Sequence, residues 1–237
     1  MTLRGSCRPP TCHEFSSRHV DLARVILATG GRVAVHSGSV HPDVVVRPYV
    51  AADEEQWLRC RVLSFLHTAF FDDVAVRKRD RDAPVQLVAV DADDHVLGQL
   101  DATVDGTEAC LENIAVHPDH HGRGIGTTLL AEAVRTCREL GADTLTAWTR
   151  DDGATVRWYS GRGFEETLRY LHVYVSSYSD DLPAGLAEVV RHHTDTDLVS
   201  AFFHAPLDAE AELRAAHRRV HVDRSLVLQL GSDVYPL

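Results

Sequence analysis

The strand-like run Leu111-Glu112-Asn113-Ile114-Ala115-Val116 leads through His117-Pro118-Asp119-His120 into His121-Gly122-Arg123-Gly124-Ile125-Gly126-Thr127, and an amphipathic segment follows at once. Such an arrangement can seat an anion. The first turn of a helix carries unpaired N–H groups and a partial positive charge, which together attract phosphate. Glycines let those amides approach an anion without a Cβ in the way. Arg123 can add a bidentate contact. Other residue types suit proton transfer. Tyr159 offers a phenol, a group that ordinarily titrates near pH 10 and can donate a proton. Glu112 offers a carboxylate on the strand before the turn, and His117 and His120 offer imidazoles suited to work near neutrality.

Several chemistries are excluded. A dinucleotide fingerprint requires G-x-G-x-x-G after a strand of a βαβ unit; here the spacing is G-x-G-x-G, with Thr127 where the last glycine belongs. A P-loop requires a lysine after its last glycine, and a pyridoxal enzyme requires a lysine in a pocket. The only lysine is Lys78, inside the charged run from Arg77 to Asp82. Among 15 histidines, His217 and His221 have a spacing that could hold a metal on a helix. The residues between them, Arg218-Arg219-Val220, lack the glutamate of an HExxH motif, and no metal site is expected. A net charge of −11 speaks against nucleic acid and favours a cationic partner.

These residues need a scaffold, and hydrophobic periodicity supplies one. Val44 to Tyr49 reads as a strand. A helix starts near Ala51, with Trp57, Leu58, Val62, Phe65 and Leu66 at helical spacing, and the stretch to Asp82 reads as one or two helices and a charged loop. A meander follows: Val85–Val90, Val96–Val104 and Ala109–Val116, joined by Asp91–His95 and Asp105-Gly106. In the last of these, alternation sets Glu112, Ile114 and Val116 on one face and Asn113, Ala115 and His117 on the other. Gly124 to Leu140 is an amphipathic helix closed by Gly141. Thr144–Thr149 is a strand, Gly153–Ser160 a helix and Leu168–Val175 a strand. The core order is β-α-α-β-β-β-α-β-α-β, an α/β fold with a sheet of mixed direction.

Two segments flank this core. Residues 1–43 have little periodicity and read as a poorly ordered extension. Residues 178–237 suggest a helix around Leu186 to Val190, a strand from Leu198 to His204, a helix from Leu207 to Arg219 and a strand from Val222 to Leu230. That tail either extends the core sheet or forms a small subdomain. Five scattered cysteines without a CxxC pair argue against a disulfide framework and for a reducing, cytoplasmic setting. No run is long and apolar enough for a membrane span, so neither a membrane nor a nucleic acid is an expected partner.

The segment from Leu111 to Gly126 resembles the central motif of the GNAT (N-acetyltransferase) superfamily, whose turn reads Gln/Arg-x-x-Gly-x-Gly/Ala. His121 stands where Gln or Arg is usual, at a position that acts mostly through its backbone. Asp152 to Phe164 resembles the superfamily's late helix, with Trp158-Tyr159 and Gly163-Phe164 in register. The resemblance covers about residues 44–175. It implies a GNAT fold, a mixed and mostly antiparallel central sheet flanked by helices, over residues 44–177, with residues 178–237 as a C-terminal α/β extension. It further implies acetyl-CoA as cosubstrate, bound by the backbone of Ala115 and Val116 and by the turn His121, Gly122, Arg123, Gly124, Ile125, Gly126 and Thr127. Asp152 replaces the usual Asn of the late helix, and a carboxylate there would repel phosphate. Tyr159 becomes the acid for the leaving thiolate and Glu112 the base. The acidic composition points to a small cationic primary amine as acceptor. A protein N-terminus or lysine, and a non-catalytic acyl-CoA-binding module, are the alternatives, and a homodimer is compatible with each.

Overall fold

The computed structural model describes residues 43–78, 83–176 and 200–231. The extension read over residues 1–43, all but its last residue, and the helix read around Leu186 to Val190 lie outside them. The elements in chain order are β1 (Val45–Pro48), α1 (Glu54–Phe65), β2 (Val85–Val90), β3 (Val96–Asp105), β4 (Glu108–Val116), α2 (Ile125–Glu139), β5 (Thr144–Thr149), α3 (Gly153–Ser160), β6 (Glu165–Ser176), β7 (Ser200–Ala205), α4 (Glu210–Ala216) and β8 (Arg219–Gln229). Residues 66–78, read as room for a second helix, form turns and bends.

The strands make one open sheet in the order β1-β2-β3-β4-β5-β8-β6-β7. Among the described residues only the β4–β5 ladder is parallel; the others are antiparallel. The fold is therefore mixed α/β with a mostly antiparallel sheet flanked by helices. β3 is buried from Val96 to Ala102 because helices cover it on both sides. On one side α1 packs Trp57 and Cys60 onto Val88, Val90 and Val96. On the other, α2 packs Ile125, Leu129, Leu130 and Ala133 in one cluster with Leu100, Leu145 and Leu226. The α2 periodicity seen in the sequence is this buried stripe.

The tail's last strand lies deep in the sheet. β8 pairs with β5 from Thr144↔Gln229 to Thr149↔Arg224 and with β6 from Glu165↔Val227 to Tyr174↔Arg219. Its Leu226 and Leu228, and Leu230 just beyond it, belong to the main core cluster. Strand β7 pairs with β6 at the sheet's edge, and α4 covers Leu171, Val173, Val220 and Val222. His217 ends α4 while His221 lies in β8, so the two histidines never share a helix face. Cys60 and Cys137 are free and buried, whereas Cys110 is disulfide-bonded, against the expectation of thiols alone. No helix of the described residues is long and apolar enough to cross a membrane.

Candidate active site

Strand β4 and the turn after it position the site. The β4–β5 ladder covers Glu108↔Thr144 to Leu111↔Ala147, yet β4 continues to Val116 and β5 to Thr149. The two parallel strands therefore part beyond Leu111 and Ala147. β4 remains paired with β3 up to Gly98↔Val116, which holds the parted strand rigid. Within β4, Asn113 pairs with Asp101 while Leu111 pairs with Ala102, so Glu112 is the extra residue of a β-bulge.

The bulge corrects the face assignment made from alternation. Leu111, Ile114 and Val116 all pack with the α2-side core, so Glu112 and Asn113 both turn to the α1 side. Glu112 Oε1 there accepts a hydrogen bond of 3.3 Å from the Thr103 hydroxyl. Below it on the same face, Lys78 Nζ lies 3.0 Å from an Asp101 carboxylate oxygen.

On the backbone of β4, His117 donates to the Leu97 carbonyl and the Ala115 carbonyl turns toward Gly98, so both face β3. By alternation the peptide groups of Ile114 and Val116 face the opening instead. The Val116 carbonyl is engaged there by Ser64 Oγ and His121 Nε2, each at 2.8 Å. The His121 ring thus locks the start of the turn, a role its position in the motif did not reveal.

Gly122 and Gly124 both take left-handed backbone, with φ of 77° and 78°, and Gly124 is the N-cap of α2. Alternating left-handed residues around Arg123 curl the chain so that successive amides converge. The amides of Ile125, Gly126 and Thr127, the first three of α2, have no acceptor among the described residues. Arg123 is exposed beside them. A Cβ on Gly126 would stand 3.4 Å from the Trp158 ring and 3.5 Å from Val116, so α3 closes one wall of the turn. Arg162, which the sequence did not single out, stacks on Trp158 at 4.1 Å and donates to the Thr127 hydroxyl at 2.5 Å. A cation beside the helix start reinforces an anion seat. Its signal in sequence is weak, because nothing local ties residue 162 to residue 127.

Tyr159 is 4% exposed and packs edge-on to Trp158 and Phe164, with centroids 5.0 Å away in each case. Burial pushes its phenol well above the ordinary value, so it remains a neutral O–H donor. Asp152 is consumed locally: its carboxylate caps α3 by accepting from the Ala154 and Thr155 amides and the Thr155 hydroxyl. Hydrogen bonds from Thr155 hold that carboxyl below its usual range. His117 is likewise occupied, its Nδ1 accepting from the Asp119 amide at 3.3 Å. The His120 ring lies edge-on to it at 5.4 Å, and burial, aided by Arg123, lowers its pKa.

The parted strands, the paired glycines and the amide-lined helix start lie within residues 49–164, the range over which the chain matches the model of the Acetyltransferase (GNAT) family. Residues 49–164 belong to the GNAT superfamily. Similar solved structures include the ribosomal-protein-S18-alanine N-acetyltransferase from Escherichia coli, at 14% identity and a TM-score of 0.47, covering 82% of this chain and 98% of that one. They also include yncA from Salmonella typhimurium, solved with its cofactor acetyl-CoA (18% identity, TM-score 0.49, 82% and 98% covered). A third is the paia N-acetyltransferase from Thermoplasma acidophilum in complex with coenzyme A (14% identity, TM-score 0.45, 69% and 98% covered). No curated protein matches this chain in sequence.

Proposed function

We propose that this GNAT protein transfers the acetyl group of acetyl-CoA to a primary amine, with a small cationic amine as acceptor. The observation that carries the reading is the opening between β4 and β5, which ends at the unpaired amides of α2. The residues present fit the cosubstrate. Ile125, Gly126 and Thr127 amides, with Arg123 and Arg162, suit a pyrophosphate. The Ile114 backbone groups and the Val116 amide along the opening suit an amide-bearing arm. Acetyl-CoA supplies an activated acyl carbon and a thiolate leaving group.

The residues of the chain manage charge. Glu112 draws the ammonium in and accepts its proton, directly or through water. The freed nitrogen lone pair forms the C–N bond as the C–S bond breaks. The Tyr159 hydroxyl gives its proton to the departing sulfur and is refilled by the second proton that leaves the nitrogen. The net products are an amide, a thiol and one proton. A net charge of −11 supports a cationic acceptor through long-range attraction.

Thiol release from acetyl-CoA across a panel of amines tests this reading. Small di- and polyamines are expected to turn over faster than peptides bearing a free N-terminus or lysine. Glu112→Gln is expected to lower kcat/KM on the order of tenfold or more. No release with any amine, despite tight coenzyme binding, would identify a non-catalytic binding module instead. Gly124→Ala addresses the turn itself. A Cβ at a φ of 78° costs roughly 1–2 kcal/mol. A turn that relaxes to relieve that strain displaces its amides, and calorimetry should then show coenzyme affinity weakened about tenfold, a change of about 1.4 kcal/mol. Unchanged affinity would remove the turn from the binding site.

A further inference from the structure

A second polar cluster lies on the α1-side face of β6, β7 and β8, the same face as Glu112. His172 Nδ1 stands 3.1 Å from Asp223 Oδ2 and 3.2 Å from His204 Nε2. Arg150, at the end of β5, extends its guanidinium over the cluster. Its Nε is 3.6 Å from Asp223 Oδ1, and it donates to the Tyr174 hydroxyl and the Ala69 carbonyl. Phe202 stacks on the His172 ring at 4.7 Å and 20°. His172 is 9% exposed, and its Nε2 is buried with no hydrogen-bond partner among the described residues; the same holds for Asp223 Oδ1.

These contacts fix the tautomer of His172. Burial, with His172 as neighbour, lowers the pKa of His204, so that ring is neutral and can turn a lone pair to His172. The His172 Nδ1 then faces a carboxylate and a lone pair, and only a proton on Nδ1 satisfies both. The Nε2 lone pair is left as the basic end, backed by a carboxylate that would stabilise the imidazolium. Ser225 pairs with Trp148 and Arg224 with Thr149, so Asp223 stands level with Arg150, beyond the point where β4 and β5 part. The rings of Trp148 on β5 and Tyr170 on β6 lie 5.9 Å apart and join the two regions.

We propose that His172, oriented by Asp223, is a further proton acceptor for the ammonium of the acceptor amine. The proposal rests on the acetyl-transfer reading above. The ammonium N–H bond breaks, its proton passes to His172 Nε2, and the nitrogen lone pair forms the C–N bond while the C–S bond breaks. Tyr159 protonates the sulfur and takes the second nitrogen proton; the imidazolium releases the first to solvent. On this route the Glu112 carboxylate attracts the ammonium, and His172 takes the first proton in its place. Aspartate at position 223 is a positioning residue, acting through His172.

The charged and titratable groups around His172 are Asp223, His221 and Arg219 from β8, His204 from β7, Tyr170 and Tyr174 from its own strand, and Arg150. Arg219 is paired with Asp72, and His221 with Asp151. The test is kcat/KM for thiol release by the full chain from about pH 5 to pH 9, bracketing imidazole titration. Wild type is expected to rise through an acid limb in that range. His172→Gln should lose the limb and fall about tenfold or more at neutral pH. Asp223→Asn should move the limb to lower pH, because the imidazolium loses its counter-charge. Should His172→Gln fail to fold, as a thermal melt and coenzyme binding would reveal, Asp223→Asn decides by the same criterion. Turnover with the wild-type limb retained in the folded variants overturns this proposal alone. A wild type that binds coenzyme yet releases no thiol overturns the acetyl-transfer reading and this proposal together.

Discussion

Tyr159→Phe is expected to lower kcat by about a hundredfold to a thousandfold, the range associated with loss of a general acid, while leaving fold and coenzyme affinity nearly intact. The substitution removes one oxygen and retains the ring. Tyr159 sits in the main core cluster between Trp158 and Phe164, and a phenylalanine would keep both edge-on contacts. The measurement separates packing from chemistry, since the thermal midpoint and coenzyme Kd report the first and the rate of thiol release reports the second. The pH dependence adds a sign. Burial raises the phenol's pKa in the folded state, so its contribution to stability is fully present below the unfolded value near 10 and fades only as pH rises toward the folded one. Tyr159 should thus impose no alkaline limb on activity below about pH 10. A variant with undiminished kcat would show that the thiolate leaves unaided and that Tyr159 is a packing residue.

Leu226→Ala should destabilise the protein by about 2–5 kcal/mol, and removal of residues 218–237 should abolish cooperative folding. The leucine is fully buried in β8 and touches the cluster that α2 seals. A cavity there loses both the transfer energy and the packing of its lining. Against a total stability of roughly 5–15 kcal/mol, that is a large share. Truncation goes further: it strips the facing edges of β5 and β6, between which β8 makes ladders on both sides. Unpaired backbone groups in the middle of a sheet are not a tolerable state. Urea denaturation of Leu226→Ala and calorimetry of the truncated chain are the measurements. A truncated chain that folds and binds coenzyme with native affinity would mean that the tail is an accessory unit.

Much of the site was legible in local sequence. A helix start is written in a few consecutive residues, so Gly122, Gly124 and the stripe of Leu129, Leu130 and Ala133 announced an anion seat on an amphipathic helix. The order of strands in the meander was equally local, because each turn lies within a few residues of the strands it joins. The place of Tyr159 between Asp152 and Gly163-Phe164 marks it as the candidate acid.

Other features depend on residues far apart along the chain. Strict alternation put Glu112 on the face of Ile114 and Val116; the β-bulge opposite Asp101 and Ala102 turned it to the α1 side, and a bulge is a property of the pairing, not of one strand. Arg162 meets Thr127, His121 turns back onto Val116, and Ser64 reaches the same carbonyl from α1.

By itself the sequence determined the donor side of this protein: the glycines, the helix they open, and the residue types able to move protons. Helix capping, periodicity and left-handed backbone are short-range effects, and they act within one turn or one strand. Only the tertiary structure brings together the cluster proposed for the acceptor side. The insertion of β8 between β5 and β6 joins Asp223 to His172 and Arg150, residues 51 and more positions apart. No period or spacing encodes that meeting, because it is set by which strand edges remain to be paired once the core has closed.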